Sequence, residues 1–256
     1  MAGLFDMAGA HVLVTGASSG LGRHFAGVLA AAGARVSLAA RRADALAGNV
    51  AAIQAAGGQA GAVVMDVTDA QGVEAALDQA EAQFGPVAVL VNNAGTTQTR
   101  AALEVDEDGW DRIIDTNLKG AFLAAQRTAR RMVRHGVAGA SIVNIASILG
   151  LRVAGGVAPY AVSKAGLVQM TKVLALEWAR HGIRVNALAP GYIETDLNAD
   201  FFASPPGAAL VKRIPQRRLG RARELDGALL LLASSAGSYM TGSVIAVDGG
   251  HLVSGL

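Results

Sequence analysis

The chain has 256 residues and a formal net charge of +2; 52% of the residues are hydrophobic, 16% are charged, and none is cysteine. This composition excludes intrinsic disorder and the clustered basic, aromatic-rich face that nucleic-acid binding needs. The lack of cysteine excludes disulfides, thiolate nucleophiles and cysteine-bound zinc, and it fits a reducing, cytoplasmic setting.

The first eleven residues, MAGLFDMAGAH, carry Asp6 and no basic region, so no secretory leader is expected. Strand-like β-branched runs follow at 11–15, 35–39, 62–65, 87–91, 141–146, 184–189 and 244–247. Helical stretches rich in Ala and Leu fall between them at 20–32, 43–56, 70–84, 109–135, 158–180 and 224–233. Several strands are almost wholly apolar, as in strands covered on both faces. Alternation of this kind predicts an α/β fold, a doubly wound parallel β-sheet of about seven strands with helices on both faces. The rhythm breaks at 191–220, where Phe201, Phe202, Pro205, Pro206, Gly207 and Pro215 predict an irregular substrate-loop insert. No apolar run approaches the ~18 residues of a membrane span. His11, His24, His135, His181 and His251 show no metal-ligand spacing, so they are expected at surfaces or helix ends, and no metal site is expected.

The first strand runs into Thr15-Gly16-Ala17-Ser18-Ser19-Gly20-Leu21-Gly22, which opens the first helix. Glycines there allow a tight turn and bring backbone N–H groups to a pyrophosphate at the helix N-terminus. The second strand ends in Ala40-Arg41-Arg42, where an enzyme selecting NAD wants an acid for the ribose 2′-hydroxyl. An arginine fork suits a 2′-phosphate instead. A charge pair at ~4 Å and an effective dielectric of ~20 is worth about 4 kcal/mol before desolvation. A third of that gives about a tenfold preference. NADP(H) is therefore expected over NAD(H), with Arg41 the principal contact. Asp66, followed by Val67, is placed to accept a bond from the adenine amino group.

Tyr160-x-x-x-Lys164 sets two side chains on one helix face, one turn apart. A free phenol has a pKa near ~10, and lowering it by ~3 units requires about 4 kcal/mol. One ammonium ~4 Å away supplies about that much. Tyr160 is thus expected to exchange a proton with a carbonyl or alcohol oxygen. Ser147 ends the fifth strand, at the carboxyl edge where parallel sheets bind ligands, and its hydroxyl is placed to polarise the same oxygen. No GxSxG elbow surrounds it, so it is not read as an acylating nucleophile.

Together these residues resemble the short-chain dehydrogenase/reductase family, in its branch of about 250 residues. The resemblance runs from TGASSGLG through Asn92-Asn93-Ala94-Gly95 to Asp248-Gly249-Gly250. It implies a single-domain Rossmann fold over 1–256 and a catalytic tetrad of Asn117, Ser147, Tyr160 and Lys164. Asn93, Ala94 and Gly95 would line the cofactor cleft, Pro190 and Gly191 would lie beside the nicotinamide, and Ile193 and Thr195 would meet its carboxamide and the phosphates. Asn117 would hold a water that links Lys164 to solvent, and Lys164 would also hold the nicotinamide ribose. A homotetramer is implied through the long helices and the segment 251–256. One departure from the family is Ala222-Arg223-Glu224, where the pattern has Pro-Glu.

The expected reaction is reversible hydride transfer between NADPH and a ketone, a 3-oxoacyl group or a secondary alcohol. The expected pocket walls are Thr96, Leu149, Leu151, Val153, Tyr192 and residues 196–213. Their apolar side chains favour ketone or acyl substrates over free sugars. Two basic clusters stand out, Arg127, Arg130, Arg131 and Arg134 on one helix, and Lys212, Arg213, Arg217, Arg218, Arg221 and Arg223 after the insert. They read as solvated faces and subunit contacts or, alternatively, as a dock for an acyl carrier protein or coenzyme A. A cofactor sensor without turnover is the alternative outside enzymology, and an intact Tyr160–Lys164 pair argues against it.

Overall fold

A computed structural model describes residues 3–195 and 199–254. Seven parallel strands form one sheet in the order β3-β2-β1-β4-β5-β6-β7. They are β1 (His11–Thr15), β2 (Arg35–Ala40), β3 (Gln59–Val64), β4 (Val89–Asn92), β5 (Ser141–Ile145), β6 (Arg184–Pro190) and β7 (Val244–Val247). The chain winds outward from β1 to β3 and then returns to pair β4 with the other side of β1. That reversal opens a crevice at the carboxyl ends of β1 and β4, where ligands bind in open α/β sheets.

The alternation within β1 shows how both faces are covered. Val12 and Val14 pack with Phe25 and Leu29 of α1 (Gly20–Ala31) and with Leu229 and Leu232 of α9 (Asp226–Ala233). Leu13 packs on the other face with Leu77 of α3 (Ala70–Phe84), Met132 of α5 (Gly120–Arg134) and Leu174 of α6 (Ala158–Trp178). Each such side chain contributes about 1.5–3 kcal/mol by leaving water. The remaining long connection, α2 (Ala43–Ala55), packs Leu46 and Ile53 on the first face.

Three expectations are corrected. The stretch 109–135 is not one helix: α4 (Glu107–Ile114) passes through a π-helical turn, Asp115–Lys119, before α5 begins. The insert holds two short helices, α7 (Ala199–Ala203) and α8 (Pro205–Val211), and a parallel bridge between Ile193 and Gly220 closes its base. Residues 196–198 of the expected wall and the last two residues of the tail lie outside the described residues. His11 is neither at the surface nor at a helix end. It is 1% exposed in β1, its ring bonded to Gly85 O at 2.7 Å and Ser37 Oγ at 2.8 Å. His251 is also buried.

Of the four helix arginines, Arg130 and Arg134 are exposed as expected, but Arg127 and Arg131 are not part of a solvated face. Arg131 is buried and meets Glu74, Asp78 and Glu81 of α3 at 2.8, 2.7 and 2.9 Å, and Arg127 reaches Glu74 at 3.4 Å. These two cations hold α5 to α3 and are spoken for. In the second cluster, Arg218 pairs with Glu224 at 2.7 Å. Among the described residues, no helix is long and apolar enough to cross a membrane, and no group of acidic or histidine side chains is arranged to hold a metal ion.

Candidate active site

The glycine turn joins β1 to α1. Gly16 has φ +67° and Gly20 φ +54°, the left-handed region that glycine enters freely. A Cβ on Gly22 would lie 2.3 Å from Gly16 O, so the turn closes tightly only with glycine there. The N-cap residue of α1, Ser19, makes no side-chain capping bond, and the first turn of the helix holds no acid. The helix dipole and its leading N–H groups are thus left for an anion, which fits the pyrophosphate of a dinucleotide.

Several side chains fix this turn, among them Asn93 and Arg42, expected at the cofactor, and Thr15 and Asn49, whose role was not expected. Thr15 Oγ1 accepts the N–H groups of Asn93 and Ala94, both at 3.0 Å. The Asn93 amide donates back to Thr15 O at 3.0 Å. Asn49 in α2 donates to Ala17 O at 3.0 Å and Ser18 O at 3.2 Å. Arg42 reaches over the turn to Ser18 Oγ at 2.9 Å and Ser19 Oγ at 3.0 Å. Arg41 is exposed and acts instead on Asp66. The Asp66 carboxyl lies below its ordinary pKa: burial opposes this, but the Thr68 N–H and hydroxyl, and then Arg41, favour the charged form. Val67 is buried against Gly120 at the start of α5.

The residues expected to transfer a proton converge from three elements. Gly155 and Gly156 end the loop before α6, and Pro159 sits in that helix's first turn, where its missing N–H is harmless. One turn then separates Tyr160 from Lys164, and the ammonium lies 5.7 Å from the centre of the phenol ring. Lys164 is buried and donates to Ile145 O at 2.8 Å. Burial pulls its pKa down to about 8. Ser147, just past β5, accepts from Leu149 N at 3.1 Å and hydrogen-bonds the Tyr160 hydroxyl. Gly150 lets that turn pack on α6, because a Cβ there would lie 2.6 Å from Lys164 O.

The phenol itself departs from expectation. Burial raises its pKa, the Ser147 bond lowers it, and the nearby Tyr192 hydroxyl raises it again. Lys164 is engaged with Ile145 O and does not supply the stabilisation expected of an ammonium at ~4 Å.

Asn117 sits in the π-helical turn and is fully buried. Its Oδ1 accepts from Thr96 N at 2.7 Å, and its Nδ2 donates to Thr96 O at 2.9 Å and Ser163 Oγ at 3.0 Å. Ser163 in turn donates to Tyr160 O at 2.7 Å. Both amide protons of Asn117 are therefore used within the protein, and its side chain ties the turn to α6. A Cβ on Gly95 would lie 3.3 Å from Asn117 Oδ1 and 3.7 Å from Lys164 Nζ, so Gly95 abuts both.

Beyond β6, Gly191 N donates to Val247 O at 2.9 Å, and a Cβ on Gly191 would lie 2.7 Å from Asp248 Cα. Pro190 ends β6 buried, and Ile193 is buried at the base of the insert with Thr195 beyond it. The pocket wall is less apolar than expected. Leu151 and Val153 are exposed, whereas Tyr192 meets Phe202 at 5.7 Å and His251 at 5.4 Å, with Arg152 beside them.

Residues 16–251 match a family model described as enoyl-(acyl carrier protein) reductase. The chain is 38% identical to gluconate 5-dehydrogenase of Gluconobacter oxydans over 252 residues, covering 98% of each chain. It is 39% identical to the 3-oxoacyl-[acyl-carrier-protein] reductase of Escherichia coli over 240 residues, 93% of this chain and 95% of that one. The crystal structure of a gluconate 5-dehydrogenase from Burkholderia cenocepacia, in complex with NADP and tartrate, superposes with a TM-score of 0.93 at 36% identity over 98% of both chains. A parallel sheet with a glycine turn at its reversal point, a Tyr-x-x-x-Lys pair whose lysine is buried, and these relatives agree. The chain belongs to the short-chain dehydrogenase/reductase family of NAD(P)-dependent oxidoreductases.

Proposed function

We propose that the protein interconverts a carbonyl and a secondary alcohol, with NADP(H) preferred over NAD(H) and with Tyr160 as general acid and base. The observation that carries this reading is the half-buried Tyr160 phenol, bonded to Ser147, one helical turn from a buried cation. The cofactor supplies the hydride when bound. The residues that would hold it are Gly16, Ser18, Ser19, Gly20, Leu21 and Gly22 at the phosphates, Arg41, Arg42, Asp66 and Val67 at the adenosine, and Asn93, Ala94 and Gly95 along the cleft. Pro190, Gly191, Ile193, Thr195, Tyr160 and Lys164 would hold the nicotinamide half.

In reduction, Tyr160 donates its proton to the substrate oxygen while Ser147 holds that oxygen during the charge shift. A phenol whose pKa burial has raised is fully protonated at neutral pH and ready to donate. In oxidation, Tyr160 takes the proton back from the alcohol oxygen, and a bound oxidised cofactor would supply positive charge that favours the phenolate. Asn117 positions Tyr160 through Ser163 and fixes the loop at Thr96. The NADP preference rests on Arg41 and Arg42 and on the absence of an acid at Ala40. Assembly as a homotetramer is supported by Val162, Val173 and Leu176, exposed apolar residues on α6. A cytoplasmic location is supported by the absence of cysteine.

The test is oxidation of NADPH, with NADH in parallel, across aromatic ketones, 3-oxo esters, an acetoacetyl thioester and keto-sugars. Turnover that needs NADPH is expected. The variant Tyr160→Phe should lose at least ~10²-fold in kcat while still binding NADPH. Persistent activity in that variant would refute the mechanism.

A further inference from the structure

The cleft holds positive charge that hydride transfer does not use. Arg152 lies five residues after Ser147, on the turn that carries it toward α6. Its guanidinium donates to His251 O and, at 3.2 Å, to Ser254 Oγ. Both partners are neutral acceptors, and no described carboxylate lies within ion-pair distance of either Arg152 or Arg213, the exposed cation that follows α8. Arg213 is followed by Ile214 and Pro215, which pack on Gly249 and Gly250 just before His251, and burial together with Arg152 and Arg213 disfavours the charged form of that imidazole. Among the described residues Asp248 is the acid felt there, and its oxygens already accept the N–H groups of Gly250 and Leu252.

This charge adjoins the proton donor. Arg152 acts on the Tyr192 phenol, and Tyr192 acts on Tyr160. The His251 ring, 5% exposed, lies tilted against Tyr192 at 5.4 Å, and its buried Nδ1 has no hydrogen-bond partner among the described residues. A half-buried guanidinium with no anion among the described residues and a buried polar nitrogen without a partner are both unfavourable as they stand. An apolar ketone would relieve neither.

We propose that Arg152 and Arg213 form an anion subsite beside Tyr192 and His251, and that the substrate is a keto or hydroxy acid whose carboxylate sits there. The proposal rests on the hydride-transfer reading for the reacting end of the substrate. The carboxylate would accept charge-assisted hydrogen bonds from Arg152 and be held by the charge of Arg213. Tyr192 and His251 would line the path from there to Tyr160.

The test uses 3-oxobutanoate, 4-oxopentanoate and 5-oxohexanoate beside their methyl esters, with NADPH. The wild-type protein should favour at least one acid over its ester by about tenfold or more in kcat/KM, chiefly through KM. Arg152→Gln and Arg213→Gln should each bring that ratio down toward one. Equal use of acid and ester by the wild type would overturn the proposal. So would variants that lower both alike, since that is the effect of a guanidinium that only anchors the C-terminal segment. A second readout separates this failure from failure of the reaction itself: melting of the NADP-bound protein with pentanoate or pentan-1-ol. If no carbonyl is turned over, stabilisation by pentanoate that Arg213→Gln abolishes would retain the anion subsite. No stabilisation in that case would end it.

Discussion

Asn117 Nδ2 and Ser163 Oγ lie 3.0 Å apart, and this one hydrogen bond joins the π-helical turn to the helix that carries Tyr160 and Lys164. Both residues are fully buried. Ser163 passes the contact on to the Tyr160 carbonyl at 2.7 Å. Ser163→Ala should therefore lower stability by roughly 1–3 kcal/mol, because it leaves a buried amide proton unpaired. It should also reduce kcat several-fold while the KM for NADPH stays near its wild-type value. Urea unfolding and steady-state kinetics read the two effects separately; unchanged kcat would mean that the bond does not position Tyr160.

Lys164 gives stability a pH dependence of known sign. Its pKa is about 8 in the folded protein, held down by burial, against ~10.4 for a free lysine. Below pH 8 both folded and unfolded chains carry the charge, and the full penalty of burying it is present. Between pH 8 and ~10.4 the unfolded chain binds more protons, so stability from this group rises with pH. Relative to Lys164→Met, the wild-type protein should gain about 3 kcal/mol between pH 7 and pH 10.5. Urea unfolding of both proteins at the two pH values measures the change, and a flat difference would place the ammonium in water.

The Arg131 cluster is a structural pin. Arg131→Ala leaves Glu74, Asp78 and Glu81 facing one another without their shared cation. Glu74 and Asp78 are substantially exposed, which screens the repulsion, so the expected loss is roughly 2–3 kcal/mol rather than the full penalty of a buried charge. Thermal melting should fall by roughly 5–10 °C. Arg131→Lys should recover part of it. Turnover per folded molecule should be unchanged, since the cluster lies behind α5 and away from the cleft.

Arg41 is exposed and free to meet a phosphate, whereas Arg42 already spans the glycine turn. Arg41→Ala should reduce the preference for NADPH over NADH in kcat/KM by about tenfold. If Arg42→Ala produces that loss and Arg41→Ala does not, the assignment between them is reversed.

The strands and the glycine turn were legible because β-branched runs and glycine spacing are local signals. The bounds of β1 and β7 match to the residue. At the sheet edge β3 begins earlier than read, at Gln59-Ala60-Gly61, where no β-branched residue marks it and pairing with β2 alone decides. The π-helical turn left no trace in Asp115-Thr116-Asn117-Leu118-Lys119, whose composition suits an ordinary helix. Tyr160 and Lys164 were legible from spacing, but the pKa argument was not: it needed the Ile145 carbonyl that engages the ammonium. Thr15 and Asn49 escaped notice because their partners are backbone groups far along the chain, and Ser163 because Asn117, 46 residues away, meets it only through the fold. Arg131 looked solvated because α3, which supplies its three acids, is a separate helix.

Thr15 has a consequence for size. From its hydroxyl, contacts run without a break through Asn93, Ala94 and Gly95 to Thr96, Asn117, Ser163 and the Tyr160 carbonyl. Backbone groups, the Asn117 amide and the Thr15 and Ser163 hydroxyls make up the run, and Thr15, Asn117 and Ser163 are buried. On the function proposed above, it would act as a ruler, setting the distance between the glycine turn that would hold the cofactor's phosphates and the phenol that would deliver the proton.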